Sequence, residues 1–362
     1  TFFFIVDAKE ESINTLLEME KLKEEGVIKV LIASGCLAQR YKEEIQKEIP
    51  GVDAIIGTMA IDKITESVDK ALAGRSENYF KDISATPVYG KKRIVTTGGH
   101  YAYMKIAEGC DKHCTYCIIP KVRGGYRSIP MESLLNEAAE LAENGVRELI
   151  LVAQETTLYG KDLYGKKSLP LLLHKLAEIP GIYWIRILYC YPEEITEELI
   201  AAIKAEDKVC KYLDIPIQHA SDNVLGRMGR KTSRADLERI IGRLRAEIPE
   251  ICLRTTLITG FPGETEEDHE ENLAFVEEIG FDRLGVFPYS QEEDTPAAEM
   301  EDQIAEEIKE ERRDDIMELQ QEIAFEKAES LVGSVLTVMI EGKVADEDAY
   351  GGRTYRDAPG VD

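Results

Sequence analysis

No apolar run in this 362-residue chain reaches the roughly 18 residues that a membrane-spanning helix needs. The opening TFFFIV is apolar, but it stops at Asp7 and no basic leader stands before it, so it does not read as a signal peptide. A cytoplasmic, reducing setting is therefore expected, and there seven cysteines point to metal or catalytic thiols more than to disulfides. Positive charge is also scarce: 44 Lys and Arg stand against 69 Asp and Glu, a formal net charge of −25. A general polyanion binder carries a basic field or stripe, because phosphate contacts supply most non-specific affinity. The balance argues against that class, although a local patch stays open. Solvated helix faces explain the acidity; so does a strongly basic partner, and charge alone does not choose. Low-complexity segments are absent, and there is no internal repeat beyond an alternation of strands and helices.

What is present is α/β patterning. The length predicts two or three domains, and 44% apolar residues is ordinary for a globular chain. Over residues 1–80, FFFIV, KVLIASGC and DAIIGT read as strands. AKEESINTLLEMEKLKEEG and LAQRYKEEIQKEIP read as the helices between them, which gives a small open α/β domain. Residues 81–100 read as a polar, Gly-containing linker. From 101 to 297 six strand candidates (AYMKIAE, ELILVAQ, YWIRILY, KYLDIPI, CLRTTLI and RLGVFPY) alternate with helical patterns such as MESLLNEAAELAENG and SRADLERIIGRLRAEI. That predicts a partial, parallel (β/α)6 barrel. Polar residues cluster just after these strands: Gln154 and Glu155, Tyr189, Gln218 and His219, Thr259 and Ser290. In a βα barrel that is the active-site face. Residues 298–330 read as one long charged helix with sparse apolar positions, and 331–362 as the start of a small β-rich module. Both ends of the chain read as cut.

The chemistry concentrates in EGCDKHCTYCIIP, where Cys110, Cys114 and Cys117 are spaced C-x3-C-x2-C just after the first barrel strand. A disulfide uses two thiols and a structural zinc site four. Three thiolates suit a four-iron cluster that leaves one iron open to a substrate or cofactor. A zinc site recruiting His113 is the alternative, weakened because His113 adjoins Cys114 and neighbours rarely share one tetrahedral centre. Incidental buried cysteines are the other.

CDKHCTYC resembles the signature of radical S-adenosylmethionine (SAM) enzymes. Further motifs resemble the methylthiotransferases along nearly the whole chain: GCLAQRY at 35–41, HYAYMKIAEGCDKHCTYC at 100–117, LVAQETTLYG at 151–160, IPIQHASDNVLGRMGR at 215–230, LITGFPGET at 257–265 and GRTYRDAP at 352–359. HYAYMKIAEGC and GRTYRDAP look most like the RimO-type branch, which modifies an aspartate of ribosomal protein S-twelve; sister branches modify adenosine in transfer RNA. The resemblance implies an open α/β domain, a radical SAM barrel and a TRAM β-barrel, of which 331–362 is the first part. It implies that Cys110, Cys114 and Cys117 hold a [4Fe-4S] cluster whose open iron chelates SAM. Cleavage of SAM gives a 5′-deoxyadenosyl radical, the cofactor carrying the hard chemistry. The radical abstracts hydrogen from the aspartate β-carbon, and a methylthio group is transferred there from a sulfur methylated at a second [4Fe-4S] cluster. An electron donor, a sulfur source and a basic ribosomal protein are the implied partners; a membrane is not, and transfer RNA is the runner-up substrate.

Carried over residue by residue, Gln154 and Glu155 would meet the methionine end of SAM, or else form a hydrogen-bonded strand end. Arg186, inside a strand, needs a partner, either the cofactor carboxylate or a structural one. Gln218 is expected to face the site. Gly260 and Pro262, in GFPGET, would permit close approach of adenine or ribose, or simply make a tight turn. Tyr116 would stack on the adenine or pack over the cluster. Cys190, Cys210 and Cys252 read as core residues, and His174 and His269 as helix-surface residues; His219 stays open. The second cluster uses three cysteines in the family. Cys36, in SGCLAQRY, matches one, while Phe2 stands where a T-C-x-F-I-like stretch has another. The chain as written is therefore expected to assemble the radical cluster and not the second. Residues 331–362 hold three basic and six acidic residues, a balance that suits a basic protein substrate better than RNA.

Overall fold

Apolar runs of four or five residues between amphipathic helices build two parallel sheets in this protein. The computed structural model describes residues 6–86, 89–90 and 93–362. They form two compact units, Thr1–Lys91 with Glu108–Arg127 and Ser290–Glu299, and Lys92–Ala107 with Ser128–Tyr289 and Met300–Asp362.

In the first unit a helix, Val6–Glu24, precedes β1 (Ile32–Ser34) and β2 (Ala54–Ile56), which pair in parallel with Ala33 opposite Ile55. Leu31, Ala33, Leu37, Ala38, Ile45, Ile49, Val52 and Ile55 make the core. The single helix expected over LAQRYKEEIQKEIP is two, Cys36–Tyr41 and Glu43–Glu48, broken at Lys42 with φ 44°. The break turns Ile45 and Ile49 onto the core that Leu37 and Ala38 also line. The strand expected over FFFIV lies outside the described residues.

The second unit is built on β3 (Tyr101–Lys105), followed along the chain by a short pair, β4 (Ala107–Glu108) and β5 (Arg127–Ser128). Then come β6 (Glu148–Val152), β7 (Trp184–Ile187), β8 (Val209–Asp214), β9 (Cys252–Thr259) and β10 (Arg283–Pro288). The sheet order is β10-β9-β8-β7-β6-β3, every pair parallel, so β3 and β10 are the two edges of an open (β/α)6 arrangement. Helices such as Met131–Glu143 and Arg234–Glu247 return the chain from each strand to the next, as parallel pairing requires. The inner strands β6, β7 and β8 are buried along most of their length, whereas β3 and β9 alternate buried and half-buried residues and β10 is mostly half-buried.

The long helix spans Glu306–Ser330 rather than beginning at 298. Residues 296–299 form a single 3-10 turn. Asp302, bonded by Arg227 and offering its carbonyl to the Gly263 N–H, keeps the intervening stretch out of the helix. The buried positions of this helix are Lys309, Arg312, Ile316 and Gln320, mostly polar, which explains its weak apolar pattern. They bond instead of merely packing: Lys309 Nζ to the Tyr289 carbonyl at 2.9 Å, Gln320 to the Phe281 carbonyl at 3.0 Å. An antiparallel hairpin follows, β11 (Met339–Lys343) and β12 (Tyr350–Arg353). The last residues then lie against one face of the parallel sheet. Ala358 packs with Ile150, Leu188, Cys210, Tyr212 and Cys252, the Tyr103 hydroxyl donates to the Pro359 carbonyl at 2.7 Å, and Arg254 pairs with Asp362 at 3.2 Å. No helix among the described residues is long and apolar enough to cross a membrane.

Candidate cluster and cofactor sites

Within the first unit the three-cysteine segment is a loop pinched shut at its base. The Cys110 N–H donates to the Gly124 carbonyl at 3.1 Å. Gly109, at φ 76°, approaches Gly125 so closely that an added Cβ would lie 2.1 Å from its carbonyl oxygen, so only glycine fits. Asp111 caps the far side by accepting from the Tyr126 N–H at 2.9 Å. The Cys117 N–H turns back to the Cys114 carbonyl at 3.0 Å, and the short helix Ile119–Arg123 leads the chain away. Cys110 and Cys114 are buried, Cys117 and Tyr116 half-buried.

Burial, and then the neighbouring charges of Cys114 and Cys110, push the Cys117 thiol up to about 12. The Cys117 thiol is therefore a poor free thiolate. Three cysteines on one loop are good ligands for a group that brings its own positive charge, and the soft sulfur set fits an iron–sulfur cluster. Among the described residues no three His, Cys, Asp or Glu side chains surround a position for a single metal ion. His113 is exposed.

Cys36 opens the helix Cys36–Tyr41 in the same unit. Its Sγ accepts from Arg123 Nε at 3.1 Å, and the other side of that guanidinium donates to buried Glu108 at 3.2 and 3.4 Å. The fold thus brings Cys36 to the helix that closes the three-cysteine loop. Sequence reasoning missed Arg123, which no spacing distinguishes from any other basic residue near a helix end.

In the second unit Gln154 and Glu155 directly follow β6, Gln218 follows β8, and Gly260 and Pro262 follow β9, all at carboxyl ends of parallel strands. Glu155 is buried, and its Oε1 accepts from the Thr157 N–H at 2.9 Å and from the Thr157 hydroxyl. Gln218 has φ 75° and is held there on both sides, its N–H bonded to the Thr256 carbonyl and its carbonyl to the Ile258 N–H at 2.7 Å. Tyr189, after β7, has φ 59°, and its N–H is taken by Asp214 Oδ2 at 2.9 Å. Two left-handed non-glycine residues at adjacent strand ends are the kind of local strain that collects at functional sites. Gly260, at φ 66°, lies on Lys309, where an added Cβ would meet Cγ at 2.1 Å. Pro262 offers its carbonyl to Arg227 Nε at 2.7 Å. Phe261 N–H and Arg312 both bond Glu264, which braces this turn onto the long helix.

Two expectations are corrected. Arg186 takes the structural partner: it is fully buried, bonded to Glu148 at 2.8 Å and to the Tyr355 carbonyl at 2.7 Å. Glu148 is the first residue of β6, so the guanidinium reaches toward the amino ends of the strands, away from Gln154 and Gln218. His269 is not on the surface; it is buried where the helix Glu266–Ile279 meets the long helix and bonds Asp315 at 3.1 Å. Its charged neighbours in sequence conceal an inward position that only helix–helix packing sets. His174 is exposed, and Cys190, Cys210 and Cys252 are buried, as read.

His219 is buried, with Nδ1 accepting from the Ser221 N–H at 3.0 Å and Nε2 facing Glu264 at 3.8 Å. Burial lowers its pKa to about 3 and raises that of Glu264 to about 7. Between pH 6.5 and 3 the unfolded chain binds a proton at this histidine that the folded chain excludes, so stability falls as pH drops. Glu264 acts oppositely between about 4.5 and 7, so the net acid loss appears chiefly below pH 4.5. Urea unfolding at pH 4 and pH 7 should show a smaller acid loss for His219→Gln than for the parent chain, the difference being on the order of 1–3 kcal/mol.

The radical SAM superfamily model matches residues 104–276, and the model described as uncharacterized protein family UPF0004 matches residues 1–57. The chain is 62% identical over 362 residues to the ribosomal protein uS12 methylthiotransferase RimO of Lachnoclostridium phytofermentans, covering all of this chain and 82% of that protein. It is 50% identical over 366 residues to the same-named protein of Acetivibrio thermocellus, covering 99% of this chain and 81% of that one. Among solved structures, the radical S-adenosylmethionine methyltransferase TsrM from Kitasatospora setae, with tryptophan and a SAM analogue bound, matches at TM-score 0.56 and 15% identity, over 76% of this chain and 58% of that one. The cobalamin-dependent S-adenosylmethionine radical enzyme OxsB matches at TM-score 0.54 and 14% identity, over 88% and 46%. These two likenesses speak for the fold; the sequence relatives speak for the family. A radical SAM transferase, this chain belongs to the RimO-type methylthiotransferases.

Proposed function

We propose that this protein adds a methylthio group to the β-carbon of an aspartate in ribosomal protein uS12. The observation that carries the reading is the loop that bears Cys110, Cys114 and Cys117, closed by the Cys110 N–H to the Gly124 carbonyl, in a chain whose relatives are named for uS12 methylthiotransfer. The formal charge of −25 suits a basic protein substrate.

A cluster and SAM bound there would supply the one-electron chemistry that an unactivated C–H bond requires and that no polar side chain could provide. The chain's own residues bind and orient. Cys110, Cys114 and Cys117 hold the cluster and Tyr116 lies within its loop. Gln154, Glu155 and Gln218 stand at strand ends suited to the polar end of the cofactor. Gly260 and Pro262 form the turn suited to its nucleoside, kept in shape by Glu264. Cys36 is the single cysteine within the stretch 1–57.

Anaerobic reconstitution should give about four irons per chain, and dithionite with SAM should give 5′-deoxyadenosine. Incubation with uS12 or with transfer RNA, followed by mass spectrometry, tests the substrate. A methylthio increment on RNA, and none on the protein, would replace the substrate reading.

A further inference from the structure

The residues Ser290–Glu299, which follow β10 along the chain, belong to the first unit, and their contacts there join segments far apart in sequence. Glu292 is 1% exposed and pairs with Lys9 at 2.8 Å and with Arg40. Arg40 is in the last turn of the Cys36 helix and also donates to the Glu293 carbonyl at 2.8 Å. A few residues on, the Ala297 N–H donates to the Thr115 carbonyl at 2.9 Å, and Lys121 Nζ donates to the Asp294 carbonyl at 2.7 Å. One short strap therefore grips both the end of the Cys36 helix and the three-cysteine loop. The start of that helix is gripped separately, by Arg123 between Cys36 and Glu108.

We propose that Arg123 and Glu292 are positioning residues that hold the Cys36 helix in register with the three-cysteine loop, so that the Cys36 thiol keeps a fixed place relative to that loop. This rests on the functional reading above. The physical case is that a six-residue helix is marginal by itself, so its placement must come from tertiary contacts. The two strongest available are a buried carboxylate shared by two cations and a guanidinium whose fixed fork spans a sulfur and a carboxylate. A loosely held donor would cost rate steeply, because small misplacements of reacting groups do.

Amide hydrogen exchange on the cluster-free chain tests it directly. In Arg123→Gln and in Glu292→Gln the amides of residues 36–41 should exchange several-fold faster, while the barrel strand Leu149–Leu151 keeps its protection. Arg123→Lys, able to reach one partner at a time, should recover part of the protection. Unchanged exchange over 36–41 in both variants, or equal acceleration in the barrel strand, would overturn the proposal. Absence of 5′-deoxyadenosine from the parent chain would count against the functional reading alone, since the exchange comparison stands without it.

Discussion

Alanine or serine in place of any one of Cys110, Cys114 and Cys117 is expected to take the iron content of the reconstituted chain from about four per chain to near zero, and 5′-deoxyadenosine formation to background. The loss should be nearly complete because the remaining two thiolates cannot hold the cluster and the loop offers no replacement: His113 is exposed and Asp111 is occupied with the Tyr126 N–H. Serine should not rescue, since its oxygen is harder than sulfur and stays protonated near neutral pH. Folding should survive, because the loop is closed by backbone bonds such as Cys110 N–H to the Gly124 carbonyl, which a side-chain change leaves intact. Cys190→Ala is the control; that thiol is buried in the second unit beside the Thr156 hydroxyl, and its loss should leave the iron count unchanged. Iron and sulfide analysis with far-UV circular dichroism checks all three statements. Retention of about four irons in Cys114→Ala would defeat the assignment.

Glu148→Ala is expected to be the most destabilising single change in the barrel, by about 3–5 kcal/mol. Glu148 is fully buried and holds two cations, Arg186 at 2.8 Å and Arg353. Removing it leaves the fully buried Arg186 guanidinium without a carboxylate, while Arg353 keeps only Glu341, at 2.7 Å. Arg186 also lies over the Tyr212 ring at 4.6 Å, and Arg353 over Tyr101 and Trp184 at 5.6 Å each, so neither can swing away without losing packing. Arg186→Leu should cost less, because Glu148 keeps Arg353 and the leucine fills part of the space. Urea midpoints of the two variants give the order directly. Exchange protection over 353–362 should fall in Glu148→Ala, since Arg353 anchors the terminal segment to the sheet; an Arg186→Leu loss larger than that of Glu148→Ala would contradict the account.

Much of this architecture could be read from residue order. The six runs from AYMKIAE to RLGVFPY each became a strand of one parallel sheet in chain order, because short strand-forming runs that alternate with helical patterns have little choice of structure. The C-x3-C-x2-C spacing and the polar residues just past each strand end were equally legible, since local spacing and strand direction place them. Arg186 shows where that stops. Its position inside a strand declared a buried cation, but whether it met a cofactor or Glu148 depended on which way it reached along the sheet. His269 was hidden for a related reason: its helix is rich in glutamate, and only the long helix packed on it makes that face interior.

By itself, then, the sequence determined the three-cysteine spacing, the parallel sheet and the family. These are written in contiguous motifs, where a few bonds fix the relative places of neighbouring residues. Tertiary structure alone decided that Glu148 joins Arg186 to Arg353, 205 residues away in sequence from Glu148, and that Glu292 reaches Arg40, 252 residues away. The reason is that a charge buried out of water must find an opposite charge wherever the folded chain supplies one. No local pattern of residues encodes a partner that far along the chain.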